Sequence, residues 1–288
     1  MALKTITLFD LAPGKVLLDR YKITGTSRHG GMSTAFQAED TKGKGSCELQ
    51  LFPGALFENK KQSAEFARSM MSWMEVESPH VTRAREVHAL DDGTILLVTD
   101  LPPKSSLRDW RGDKVLEPAQ VIEIGLQLCN ALAAIHEQEL VHGDIKPHTI
   151  HVDGKKKLDI VLVDGGITPG LWSAKHLGDK TALIGTPFYA PVEQFGGESP
   201  DVQSDVYNVA TVLYELATGV LPWKGKSFLE VFQAKLQKSP PAMKTRAPKS
   251  DVPKELEAAI TSGLMADKRE RCKSADELAK RLKAAKKA

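Results

Sequence analysis

Val141-His142-Gly143-Asp144-Ile145-Lys146-Pro147-His148-Thr149-Ile150 is the point from which the rest of this 288-residue chain falls into order. The stretch sets one acid, Asp144, two residues ahead of Lys146, and Thr149 follows five residues after the acid. Far upstream, the first hundred residues are strand-rich. Tyr21 to Ile23, Ala35 to Ala38, Cys47 to Phe52 and Thr94 to Thr99 are short runs of β-branched, aromatic or alternating apolar residues. Gly43 and Gly45 mark a turn between the second and third runs, and Pro102-Pro103 breaks the chain as a hinge would. Ser63 to Val76 carries Phe66, Met70, Trp73 and Met74 at helical spacing. From Pro118 onward the pattern is mostly helical. Val121, Ile124, Leu128, Leu132 and Ile135 predict a long buried helix with Pro118 in its first turn. Asp205 to Thr218 is apolar nearly all round, as in a helix at the centre of a lobe. Ser274 followed by Glu277 predicts a capping box that opens a last amphipathic helix.

Composition sets limits. A chain of this length suits one large domain or two lobes with a shared interface. With 39 Lys plus Arg against 37 Asp plus Glu, the net charge of +2 gives no reason to expect nucleic acid as a partner. Lys280 to Lys287 is basic, and its plain reading is the solvated face of the last helix. Cys47, Cys129 and Cys272 are far apart and odd in number, so neither a disulfide framework nor a zinc site is expected. That usage suits a reducing cytoplasm. No uninterrupted apolar run approaches 18 residues, and no membrane-spanning segment or signal peptide is expected.

The opening stretch resembles the catalytic loop of bacterial, eukaryotic-like Ser/Thr protein kinases. In that loop an Asp accepts the substrate hydroxyl proton, and an Asn five residues on holds a second Mg²⁺. Asp144 matches the acid, whereas Thr149 replaces the Asn. Gly185-Thr186-Pro187-Phe188-Tyr189 with Glu193-Gln194 is similar to the end of the family's activation segment. Ser204-Asp205-Val206-Tyr207 through Gly219 resembles the central helix of its large lobe. Asp267 and Arg271 fall where a late Asp-Pro-x-x-Arg motif would, with Lys268 in place of the Pro. The resemblance runs from Gly14 to Leu282 in family order. It implies an α+β, bilobal fold: residues 1–19 as a lead-in, 20–101 as a small antiparallel-sheet lobe, 102–284 as a larger helical lobe, and 285–288 as a basic end. It also implies a scaffold ion pair between Glu193 and Arg271, and His142 and Asp205 bracing the catalytic loop.

The resemblance further locates what the site has changed. Aligned through Gly30 and Gly31, the glycine-rich loop keeps one of its three motif glycines, and its first falls on Arg28. The lysine that pairs with phosphate falls on Gln50, and its helix Glu on Ser69; Arg28 or Arg68 is a candidate stand-in for the lysine. The residues expected to enclose adenine are Ala35 and Glu48 on one side and His151 on the other, with Thr99 and Leu101 completing the nucleotide-pocket positions. Glu48 and His151 are expected to close the slot on each other. The magnesium motif is Asp164-Gly165-Gly166, so Asp164 and Thr149 hold the family's metal positions. Trp73 is expected to fill the space left by Gly165, and with Gly143 in place of an Arg, phosphorylated Thr181 would lack its partner. Asp144 and Lys146 remain as vestiges of the catalytic pair. These departures predict a pseudokinase that binds another protein, with no cofactor and weak or no ATP binding. The alternative is an active atypical Ser/Thr kinase or nucleotidyl transferase that uses Asp144, Lys146 and Asp164 with ATP and Mg²⁺.

Overall fold

Alternating side chains build a six-stranded antiparallel sheet near the N-terminus, in the order β1 (Val16–Leu17), β2 (Tyr21–His29), β3 (Thr34–Asp40), β4 (Gly45–Phe52), β6 (Ile95–Asp100) and β5 (Ala84–Ala89). The structure is a computed structural model that describes Ile6 and residues 8–29, 33–43, 45–153, 158–175, 187–237 and 239–287. The chain divides into two units. One comprises Met1–Glu77, Thr82–Pro102 and Ser173–His176, and the other Ser78–Val81, Pro103–Trp172 and Leu177–Ala288.

In the first unit, Leu49, Phe52, Ile95, Leu96 and Val98 are fully or almost fully buried. Leu11 and Leu17 join the same core as Tyr21, Ile23 and Ala38, so the N-terminal residues belong to the sheet they precede. Helix α1 (Lys60–Ser72) begins three residues before the apolar spacing does. The reason is its cap: the Asn59 side chain accepts the Gln62 N–H at 3.0 Å, which carries the helix through a polar first turn. It ends in a 3₁₀ turn, Trp73–Glu75, with Trp73 buried. Strand β5 was not expected. It is an edge strand bearing Arg85, Glu86 and His88, and charge on an edge discourages unwanted pairing while erasing the apolar alternation. Arg20 ties it down, reaching both Asp40 oxygens and Glu86 Oε1, each at 2.7 Å.

The second unit has a small antiparallel sheet of β7 (Ser105–Ser106), β8 (Ile150–Asp153) and β9 (Asp159–Leu162). Around it are α2 (Leu107–Arg111), α3 (Pro118–Glu137), α5 (Val192–Phe195), α6 (Val202–Thr218), α7 (Phe228–Lys235), α8 (Met243–Arg246), α9 (Lys254–Ser262) and α10 (Ala275–Ala285). A further helix, α4 (Ile167–Ala174), leaves this unit, since its last two residues group with the first. Helix α6 is buried from Ser204 to Thr218. Asp201 and Ser204 cap its start, and Gly219 ends it at φ 76°, a conformation that favours glycine. Helix α3 is long and apolar enough to cross a membrane, but it packs against α6, α10 and β9 as a core helix. Ser274 caps α10, its side chain accepting the Glu277 N–H, but the expected capping box is not closed, because the Glu277 carboxylate accepts the Lys273 N–H in place of that of Ser274. The three cysteines are buried free thiols.

The ion pair implied between Glu193 and Arg271 is present. Arg271 Nη1 and Nη2 lie 2.6 and 3.0 Å from the two Glu193 oxygens, and the guanidinium is buried over the Tyr207 ring at 5.0 Å. Lys268, in place of a proline, bonds to Asp201 at 2.9 Å and Glu198 at 3.1 Å. Glu193→Ala would strand a buried guanidinium, so urea unfolding should show a loss of about 3–5 kcal/mol.

Candidate active-site loop and nucleotide face

The catalytic-loop stretch is organised around Asp205, a fully buried carboxylate in the first turn of α6. Its oxygens accept the His142 and Gly143 N–H groups at 2.8 Å each, and His136 Nε2 lies 3.0 Å away. His142 Nε2 faces the Val163 carbonyl at 3.1 Å, which places its proton there, and Nδ1 faces the Asp144 N–H at 3.4 Å. Burial holds His142 below the usual histidine range against the pull of Asp205, Asp144 and Asp164. Lys146 Nζ bonds Asp144 Oδ2 at 2.6 Å.

Thr149 is 4 % exposed and closes the loop on itself. Its hydroxyl accepts the Lys146 N–H at 3.1 Å and faces the Asp144 and Lys146 carbonyls at 2.9 and 3.1 Å. A hydroxyl has one proton, so it serves one carbonyl at a time. Just beyond Val163, Asp164 sits in the left-handed region at φ 64°. The Gly166 N–H reaches the His142 carbonyl at 3.2 Å, and the Gly170 N–H bonds back to Gly166, so α4 starts at once after the Asp-Gly-Gly motif. This helix was not legible in the sequence. Its Pro169 lies against Gly143, where an added Cβ would meet Pro169 Cδ at 2.5 Å, and Gly143 has φ +82°. His151 is buried, with Nδ1 2.5 Å from the Pro103 carbonyl. Burial, then Arg108 and Lys146, lowers the His148 pKa.

In the first unit, strand register sets the nucleotide-pocket positions on one face. Arg28, Ala35 and Gln50 are successive cross-strand partners on β2, β3 and β4; Gln37, Glu48 and Thr99 are the partners on β3, β4 and β6. Opposed residues share a face, and residues two apart along β3 share it too. Across this face Arg28 Nη2 lies 2.7 Å from Glu48 Oε1, with Nε at 3.1 and 3.2 Å from the two oxygens. Glu48 is 1 % exposed and Gln50 3 %. This pair was missed. Arg28 was expected only as a lost glycine or a stand-in lysine, whereas it neutralises Glu48. The available signal was that opposite charges replace a Gly and an Ala together. Neither Glu48 nor His151 points to solvent, and each already has a partner within its own unit.

Ser69 Oγ bonds the Phe66 carbonyl at 2.8 Å, and exposed Arg68 turns to the Ala64 carbonyl. Thr99 Oγ1 bonds the Asp100 carbonyl at 3.1 Å, and Leu101 is partly exposed beyond the end of β6. Gly30, Gly31, Thr181, Gly185 and Thr186 lie outside the described residues. Among the described residues, no group of three or more His, Cys, Asp or Glu could hold a metal ion.

The family model described as "Protein kinase domain" matches residues 30–282, and the chain belongs to that family. It is 25% identical over 266 residues to the probable serine/threonine-protein kinase PknB of Lactococcus lactis, covering 92% of this chain and 42% of that protein. It is 26% identical over 273 residues to the serine/threonine-protein kinase PrkC of Bacillus subtilis, covering 94% and 41%. The chain thus spans about two fifths of the length of these relatives. The crystal structure of the Mycobacterium tuberculosis PknI kinase domain is similar in fold, at TM-score 0.74 and 19% identity over 96% of this chain and 99% of that one. The α+β kinase fold, with a curled antiparallel-sheet lobe and a helical lobe, is therefore established.

Two measurements test the loop. Gly143→Arg combines a left-handed backbone with a clash on Pro169, and should lower stability by about 2–4 kcal/mol in denaturant unfolding. Because the folded His142 pKa lies below the unfolded value near 6.5, the unfolded chain takes up the proton first as pH falls. This contribution to stability is complete above that value and is lost toward the folded pKa. Between pH 7 and pH 5 the fall in stability should be shallower in His142→Gln than in the parent.

Proposed function

We propose that this chain is a pseudokinase: a protein-kinase-like domain that works by binding another protein in the cytoplasm, holds ATP weakly or not at all, and turns over no substrate. The Arg28–Glu48 ion pair carries the reading, because it occupies the sheet face that the family resemblance assigns to adenine. A flat apolar ring laid there would meet a buried charge pair, and disrupting such a pair leaves an uncompensated charge. Gln50, in the adjoining row, has an amide but no charge for a phosphate. The Thr149 hydroxyl is engaged by the loop backbone, so one carboxylate, Asp164, stands where Mg²⁺ would need two protein ligands. These residues do not fit the family's nucleotide and metal pair. The intact buried network of the second unit supports a role in which the fold itself is what matters.

A second reading, an active atypical Ser/Thr kinase or nucleotidyl transferase using ATP and Mg²⁺, is favoured by the Lys146–Asp144 contact at 2.6 Å and by the retained carboxylate of Asp164. Thermal-shift titration separates the two. A ligand at 100 times its Kd adds about 2.7 kcal/mol of stability. The pseudokinase reading expects no appreciable shift with millimolar ATP and Mg²⁺. A clear shift that disappears in Asp164→Ala, or protein phosphorylation that disappears in Asp144→Ala, would establish the enzyme instead.

A further inference from the structure

The last helix carries charge that neither the nucleotide face nor the buried network uses. Helix α10 packs on α3 and α9 and turns Leu278, Leu282 and Ala285 inward. Its acids, Asp276 and Glu277, lie in the first turn, and the basic residues follow them. Lys280, Lys283, Lys286 and Lys287 are all exposed. Lys280, Lys283 and Lys287 stand at i, i+3 and i+7, so the helix itself places them on one side, away from the buried leucines.

Arg281 is answered by Glu277 at 2.7 Å, but among the described residues none of these four lysines forms an ion pair. Residues three or four apart are neighbours on a helix, and like charges there repel. The partial negative charge of a helix C-terminus offsets such repulsion only within the last turn, and Lys280 comes before it. The face is also purely polar. Among the described residues, none of the large exposed apolar side chains lies on α10 or on α3. A folded protein partner would call for an apolar centre to the interface, and a single nucleic-acid strand for aromatic rings to stack on. What α10 offers is a row of hydrated point charges on long flexible stems. That suits a surface whose own charges are free to gather beneath it.

We infer that Lys280, Lys283, Lys286 and Lys287 make the exposed side of α10 a contact surface for membranes rich in anionic lipid, held by charge and without insertion. Clusters of four or more basic residues on a helix attract such leaflets, by about fivefold in affinity per lysine. The attraction reaches about a Debye length from the surface, so it fades as salt rises. With no apolar group entering the bilayer, attachment is reversible. The inference does not depend on the nucleotide face and holds for a pseudokinase or an active kinase.

The test sediments the full chain with vesicles of phosphatidylcholine, with or without an equal share of phosphatidylglycerol. At low salt the anionic vesicles should bind it at least tenfold more tightly, and high salt should abolish the difference. Lys280→Gln with Lys283→Gln and Lys287→Gln should weaken binding at least tenfold. Arg at the same three positions should preserve it, which separates lost charge from lost packing. Both variants should melt at the temperature of the parent, since the substituted side chains are exposed. Equal binding to the two kinds of vesicle, or a Gln variant that binds like the parent, would overturn the inference. Binding that survives high salt would overturn it in favour of apolar insertion. Tighter binding to a DNA duplex, or displacement by inorganic phosphate at matched ionic strength, would overturn it in favour of a nucleic acid or a free phosphate ion.

Discussion

Asp205 has no solvent and three polar groups to answer to, and the loop beside it takes its shape from that constraint. A carboxylate buried in the first turn of a helix is helped by the partial positive charge of the helix end. It still needs hydrogen bonds to replace lost water. His142 and Gly143 supply two backbone N–H groups and His136 a ring nitrogen, so the chain must turn tightly at Gly143 to present consecutive donors. The same logic recurs along α6. Glu215 is buried between Arg111 at 2.9 Å and the Tyr189 hydroxyl at 2.6 Å, and both burial and Glu215 raise the Tyr189 pKa. Glu193 is answered by Arg271. Asp205 and Glu215 each fix a different segment to the central helix, whereas the Glu193 pair ties α5 to the segment before α10, and losing one partner strands the other.

This explains an asymmetry between the units. In the second, charged residues that resemble the family's scaffold are held by several partners at once, so their loss is costly. In the first, two residues that the resemblance puts at nucleotide positions answer each other. Arg28 and Glu48 are each awkward alone on a buried sheet face, but together they are neutral and mutually hydrogen bonded. Thr149 follows the same rule, because a hydroxyl too short to replace an amide still satisfies the backbone around it.

Legibility in the sequence followed the range of the forces involved. Helix α6 was readable because it is apolar all round, and α3 and α10 because their caps lie within a few residues of their apolar stripes. Edge strand β5 was not, since its Glu86 answers Arg20 more than sixty residues away. The start of α1 was missed because a side-chain cap, and not apolar spacing, determines it. Family order assigned Gln50, Ser69 and Thr149 to their candidate positions. The Arg28–Glu48 pair depends on strand register across an intervening strand with bulges in its pairing, which no local pattern reveals.

The N-terminal residues carry a consequence of a different kind. The family model matches from residue 30, yet Leu11, Leu17, Tyr21 and Ile23 share one core with Leu49 and Val98, and β1 and β2 form one margin of the sheet. The span that the family model matches and the unit of folding therefore have different borders. A chain trimmed to the first would turn β3 from an interior strand into an open edge, with a bare apolar flank beside it and unpaired backbone groups ready to template aggregation.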